Sequence, residues 1–170
     1  MSMFCYQCEE AAKGQGCTLR GVCGKTDDVA ALQDLLVYAL KGLAVYGNRA
    51  RELGVVDPKA DFLLVDGLFS TITNVSFDRE RLADLVRRAV AARDDLAVRF
   101  QRAYKEAQGH TFDERLPEAA TWSPANEDTE ALVAQGHAVG ILANVALDED
   151  LRSLRELLVY GLKGMAAYLY

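Results

Sequence analysis

All four cysteines of the chain lie within its first 23 residues. They are spaced C-x2-C-x8-C-x5-C, with glycines between them, at Cys5, Cys8, Cys17 and Cys23. Four thiolates on a short glycine-rich segment can hold a tetrahedral zinc ion or an iron–sulfur cluster. Zinc would make this segment a structural element, whereas iron and sulfide would make it an electron carrier.

The spacing leaves the identity of the metal open. The close pair Cys5 and Cys8 suits both metals, but zinc modules commonly supply a second close pair, and Cys17-x5-Cys23 is wider. Glycines between the ligands leave backbone amides free to approach sulfur, which favours an iron–sulfur cluster over zinc. Two structural disulfides are disfavoured, because a chain of 170 residues in a reducing compartment needs no such cross-links.

The residues around the cysteines are suited to such a centre. Positive charge to offset four thiolates is available from Lys13, Arg20 and Lys25. Side chains that would shield the centre from water are Phe4, Tyr6 and Val22. The two histidines, His110 and His137, have no cysteine near them in the sequence and are predicted not to be metal ligands.

Composition and charge exclude several classes of protein. The formal net charge of −6 and the pI of about 5.0 disfavour nucleic-acid binding, which requires a basic face. We expect no membrane span, since no apolar run approaches the roughly 20 residues that a span requires. Residues 1–8 do not form a secretory signal, so the predicted location is the cytoplasm.

Beyond Cys23 the apolar residues recur at three- and four-residue steps, which predicts an all-α fold. Helices are expected from Thr26 to Leu53, from Asp57 to near Asn74, and from Asp78 to about Ala107. Two more are expected from Asn126 to Val139 and from Asp148 to the end of the chain.

The predicted helices divide the chain into four parts. A cysteine-rich loop occupies residues 1–25, a three-helix bundle residues 26–107, and a surface loop residues 108–125. Residues 126–170 would begin a second helical unit. Because Tyr168, Leu169 and Tyr170 end the chain without a polar cap, this second unit is expected to be truncated.

A repeat links the first and last helices. Residues 35–46 read LLVYALKGLAVY and residues 157–168 read LLVYGLKGMAAY, with nine identities in twelve at a separation of 122 residues. One explanation is that the two helices pack in the same way, with Gly42 and Gly164 each allowing a close helix crossing. Duplication of a helical unit explains the shared Tyr and Lys better, and we favour it. We call the two segments the first copy and the second copy.

The segment FCYQCEEAAKGQGCTLRGVCGK resembles the N-terminus of the hybrid cluster proteins, also called prismane proteins, which include the hydroxylamine reductases. Further segments follow in that family's order: LQDLLVYALKGLAVYG, DGLFSTITNVSFD and LRSLRELLVYGLKGMAAY. The resemblance covers nearly the whole chain except residues 108–125. The carbon monoxide dehydrogenases are similar to the hybrid cluster proteins in this helical region.

The resemblance implies a [4Fe–4S] cluster bound by Cys5, Cys8, Cys17 and Cys23, with [2Fe–2S] as the form found in a further class of the family. It also implies electron transfer from a donor protein or a small-molecule reductant to a second, catalytic cluster that reduces hydroxylamine to ammonia. That catalytic cluster requires cysteines from later domains, and this chain has none after Cys23. We therefore expect the chain alone to be inactive as a hydroxylamine reductase.

Two other functions remain open. In one, zinc on the four cysteines stabilises a helical interaction module that has no redox role. In the other, the chain is an assembly fragment that self-associates through an exposed final helix.

Overall fold

The computed structural model describes residues 3–143 and 146–170 of the chain. Within these residues the fold is all-helical and contains no strand, so the predicted all-α class is confirmed. The helices are α1 (Asp27–Glu52), α2 (Pro58–Ser70), α3 (Arg79–Gln108), α4 (Glu118–Thr121), α5 (Thr129–Val139) and α6 (Glu149–Leu169). Helices α1, α2 and α3 pack against one another as a three-helix bundle, and α6 packs against α2.

Aspartate side chains cap the N-termini of α2, α3 and α6. Asp57 accepts hydrogen bonds from two backbone amides in the first turn of α2, and Pro58 takes the first helical position. Asp78 and Asp148 cap α3 and α6 in the same way. These three starts agree with the sequence analysis, because a short acidic side chain at this position satisfies amides that have no partner within the helix.

The region before α5 differs from the prediction in two respects. Helix α5 is capped by Asp128, which accepts the Ala131 amide, whereas Asn126 forms an earlier turn by accepting the Asp128 amide. The predicted surface loop also contains the short helix α4, whose Ala119 and Ala120 are buried. A helix of four residues is too short to show a periodic apolar pattern.

The hydrophobic core is built around α1, which packs against α2, α3, α4 and α5. The largest side chains buried without solvent contact come mainly from α1 and α3 and are Leu32, Leu35, Leu36, Leu43, Leu82, Leu85 and Leu132. Burial of each leucine side chain contributes about 1.5–3 kcal/mol relative to exposure. The first copy of the repeat therefore lies at the centre of the fold.

Helix α1 also has the length and composition of a membrane span, contrary to our expectation that no stretch qualifies. An 18-residue stretch of α1 has a mean hydropathy of 1.4, and 72% of this stretch is buried inside the protein. A core helix that is covered on most sides passes the same test, so this single helix is weak evidence for membrane insertion.

The two copies of the repeat bury opposite faces. Leu36 in the first copy is fully buried, whereas the equivalent Leu158 in the second copy is 65% exposed. Lys41 in the first copy is exposed, whereas the equivalent Lys163 is 6% exposed. The same sequence thus forms a core helix in one place and a helix with an open apolar face in the other.

The glycines of the repeat also differ in their surroundings. A Cβ atom on Gly42 would collide with the carbonyl oxygen of Ala119, so the absence of a side chain allows α4 to approach α1. The equivalent Gly164 has no atom within 4 Å of its Cβ position. Close helix crossing therefore accounts for the first glycine but not for the second.

Charged groups of α1 and α6 are enclosed beside the cysteine segment. Lys163 Nζ donates a hydrogen bond of 3.4 Å to Gln7 Oε1. The Asp34 carboxyl lies against Gly140, where a Cβ would be 3.0 Å from Oδ2, although the residue as a whole is only half-buried. Burial raises the pKa of Asp34 to about 7, against the opposing effect of the Lys163 ammonium. Burial likewise lowers the pKa of Lys163 to about 8.

The glycine contrast predicts that Gly42→Ala destabilises the fold by about 2 kcal/mol, because the backbone of α4 must move to admit a methyl group. The matched control is Gly164→Ala, which should stabilise the fold by about 0.5–1 kcal/mol through helix propensity alone. Urea unfolding followed by circular dichroism measures both values. Equal effects of the two substitutions would contradict the role assigned to Gly42.

The raised pKa of Asp34 predicts a loss of stability as the pH rises from about 4 to about 7. In this interval the folded chain holds a proton that the unfolded chain has already released, so rising pH favours unfolding. The largest possible slope is about 1.4 kcal/mol per pH unit. Asp34→Asn should remove this contribution when urea unfolding of the metal-free, reduced chain is measured across the interval.

Asp84→Asn, at an exposed carboxyl on α3, serves as the control and should leave the slope unchanged. The same pH slope in the wild type and in Asp34→Asn would show that the carboxyl is not held protonated by burial.

Candidate metal centre

The four cysteines lie on irregular backbone that precedes α1. Cys5 and Cys17 face each other in an isolated antiparallel bridge, with N–O distances of 3.0 and 2.8 Å. The chain between them turns after Cys8, whose carbonyl oxygen accepts the Ala11 amide. A short 3-10 turn, Ala12–Gly14, then leads back to the bridge.

Cys23 lies in a second turn beyond this bridge. The turn is closed by two backbone hydrogen bonds, from the Gly24 amide to the Gly21 carbonyl and from the Gly21 amide to the Lys25 carbonyl. A Cβ on Gly21 would lie 3.0 Å from Cys23 Sγ, so glycine leaves room for the sulfur beside the backbone. Gly24 has a φ of 92°, which other residues adopt at a cost in energy.

The cysteines differ in their exposure. Cys17 is buried, Cys5 and Cys8 are half-buried, and Cys23 is exposed, and all four are free thiols. The bridge brings Cys5 and Cys17 together. Within the described residues, however, no three His, Cys, Asp or Glu side chains converge on one point. The assignment of all four cysteines to one metal centre therefore stays a prediction.

Two nitrogen donors lie near the sulfurs of the bridge. The Ala12 amide points to Cys17 Sγ at 3.4 Å. The Lys25 ammonium nitrogen lies 3.7 Å from Cys5 Sγ. Both groups stabilise negative charge on sulfur, which is what a thiolate centre requires of its surroundings.

Lys25 is held in place by a chain of hydrogen bonds. Its Nζ donates to Gln33 Oε1 at 2.6 Å, and Gln33 Nε2 donates to the Ser76 carbonyl at 3.0 Å. Lys25 and Gln33 are each 2% exposed. These contacts attach the cysteine segment to α1 and to the connection between α2 and α3.

Most of the other residues that were predicted to surround the cysteines do not point toward them. Lys13 and Arg20 are exposed, so only Lys25 of the three predicted cations points inward. The rings of Phe4 and Tyr6 lie 5.3 Å apart, and the Phe4 ring packs against Gly16, where a Cβ would lie 2.7 Å from it. Val22 is 61% exposed and does not shield the cysteines, because its turn projects into solvent.

Helix α6 supplies contacts that the sequence analysis missed. The Tyr160 ring meets the Tyr6 ring edge-on at 5.4 Å, and Lys163 reaches Gln7, between the first two cysteines. Burial raises the pKa of Tyr160 well above its usual value. The repeat singled out Tyr160 and Lys163 as shared polar residues, but spacing alone did not show that they face the cysteine segment.

His137 is not among the cysteines. Its Nε2 lies 3.2 Å from Asp27 Oδ2, where it connects α5 to the start of α1. His110 is exposed and contacts the Thr111 carbonyl. That neither histidine is a metal ligand stays a prediction.

Comparisons with known proteins show which family the chain is similar to. The model of the Prismane/CO dehydrogenase family matches residues 3–170. A hydroxylamine reductase from Halothermothrix orenii is 54% identical over 168 residues, which are 99% of this chain and 30% of that protein. Hydroxylamine reductases from Thermosipho melanesiensis and Nitratidesulfovibrio vulgaris are 49% and 48% identical, each over 166 residues and 98% of this chain.

The chain spans about 30% of the length of the curated relatives that it matches. The family model, in contrast, covers nearly all of the chain, including the cysteine segment and both copies of the repeat. The chain therefore belongs to the Prismane/CO dehydrogenase family.

Proposed function

We propose that this chain is the N-terminal electron-transfer part of a hydroxylamine reductase. In this proposal Cys5, Cys8, Cys17 and Cys23 bind a [4Fe–4S] cluster. The observation that carries the proposal is the four-cysteine segment, placed at the start of a chain that matches hydroxylamine reductases along almost its whole length. Proteins of the prismane family bind iron–sulfur clusters, which favours iron over zinc at these thiols.

The residues on the segment suit a bound cluster. Such a cluster supplies one-electron redox chemistry when it is bound. The Ala12 amide and the Lys25 ammonium offset negative charge at Cys17 and Cys5. Phe4 and Tyr6 are half-buried, and the Phe4 ring packs against Gly16 of the segment.

Exposure suggests the direction of electron flow. Cys23 lies at the surface, within reach of a donor protein or a small-molecule reductant. Cys17 is buried and packs with Met3 against Ala30 of α1. Electrons would therefore enter near Cys23 and leave through the protein toward a catalytic centre outside this chain.

The catalytic step belongs to that other part of the parent protein. Reduction of hydroxylamine to ammonia and water breaks the N–O bond and consumes electrons and protons in equal number. This chain offers no cysteine after Cys23 for a second cluster. We infer that the chain delivers electrons and does not itself bind hydroxylamine.

The apolar face of α6 is the proposed contact with the rest of the parent protein. Its exposed residues are Leu154, Leu157, Leu158, Leu162 and Met165. A contiguous apolar surface on a soluble protein marks an interaction site. In the isolated chain the same surface would promote self-association.

The cluster proposal predicts about four iron and four sulfide ions per chain after anaerobic purification, with a brown colour. Cys17→Ser should abolish most of this content, because Cys17 is the buried ligand. Iron, zinc and acid-labile sulfide are measured on the same samples. Thr18→Ala, at the exposed neighbouring position, is the control and should retain the wild-type content. One zinc ion per chain without iron would instead support the structural module.

The α6 proposal predicts that the isolated chain forms concentration-dependent oligomers in light scattering. Leu158→Glu should shift the distribution to monomer by placing a charge in the apolar face. Val98→Glu makes the same change on α3, at a residue that is 71% exposed but outside that face, and should have no effect. A wild-type chain that is monomeric at all concentrations would contradict self-association.

A further inference from the structure

Lys25 is a buried lysine whose side-chain nitrogen lies beside a cysteine sulfur. The side chain is 2% exposed, and burial of an ammonium group is costly unless a negative charge or hydrogen bonds compensate it. Among the described residues no carboxylate lies within 4.0 Å of Lys25 Nζ. Its contacts are Gln33 Oε1 at 2.6 Å and Cys5 Sγ at 3.7 Å.

The position of the ammonium is fixed by the fold. Gln33 is buried in α1 and is itself tied to the Ser76 carbonyl, so its Oε1 is oriented toward Lys25. Backbone hydrogen bonding between Gly21 and Lys25 closes the turn that carries Cys23. The ammonium is therefore held beside Cys5, away from solvent, while the Lys25 backbone closes the turn that carries Cys23.

We propose that Lys25 is a redox-tuning residue, whose buried ammonium, positioned by Gln33, makes reduction of a cluster bound at Cys5 more favourable. A cluster gains negative charge when it accepts an electron from an external reductant. A fixed positive charge beside one of its sulfurs stabilises that reduced form more than the oxidised form. Lys25 itself donates no electron and transfers no proton in this step.

Two features separate Lys25 from the other cations of the segment. Lys13 carries the same charge but is exposed, where water and salt screen its effect. Arg20 is also exposed and contacts the Gly24 carbonyl at 3.4 Å. Only Lys25 combines low exposure with a contact to sulfur, so its effect on a cluster should exceed that of an equal charge nearby.

The inference rests on the proposed function, and the test separates the two. The 170-residue chain is loaded anaerobically with iron and sulfide, and its midpoint potential is measured by titration with dithionite, monitored by electron paramagnetic resonance. For Lys25→Met we expect the ratio of reduced to oxidised cluster at a fixed ambient potential to fall about tenfold, which is about 59 mV for a one-electron couple. Lys13→Met, which removes an equal charge at an exposed position, should change that ratio less than twofold.

A wild-type chain that holds no iron overturns the proposed function, whereas a loaded Lys25→Met with the wild-type potential overturns only the role of Lys25. If Lys25→Met fails to load, Lys25→Gln is compared with it by circular dichroism. Failure of both to load with wild-type helix content would assign Lys25 to cluster binding and would overturn the redox-tuning role. Loss of helix content in both would show that Lys25 acts on the fold, and would overturn the inference.

Discussion

The shape of the cysteine segment depends on its attachment to α1. The segment has one isolated bridge, one 3-10 turn and several glycines with positive φ, and so has little regular structure of its own. The hydrogen bonds from Lys25 to Gln33 and from Gln33 to Ser76 join it to the bundle. Because these groups are buried, breaking the connection would leave polar atoms without partners, at a cost of about 1–3 kcal/mol for each.

Helix α1 can serve as this support because it is covered by the other helices on most of its surface. The first copy of the repeat supplies the leucines of the core, while Gln33 on the same helix supplies the polar contact to the segment. Helix α6 uses the second copy differently, since it directs Lys163 toward the segment and leaves its leucines in solvent. The two copies of one sequence pattern thus have opposite faces buried.

Much of the fold was predictable from local signals. The starts of α2, α3 and α6 follow from Asp57, Asp78 and Asp148, since capping depends on a few neighbouring residues. Helix α4 and the cap at Asp128 were missed, because a short helix and two adjacent acidic turns give no distinct periodic pattern. The site was predicted in part. The inward position of Lys25 and the roles of Gln33 and Lys163 depend on contacts between distant parts of the chain, which periodicity does not reveal.

A redox-active iron–sulfur cluster on the four cysteines, as we propose, would carry an unpaired electron when it is reduced. Electron paramagnetic resonance of the anaerobic, dithionite-reduced chain tests this most directly, with spins counted against iron. The proposed [4Fe–4S] cluster predicts a spin-½ signal of about one spin per chain, absent before reduction. A reduced chain that contains zinc and gives no such signal would contradict it.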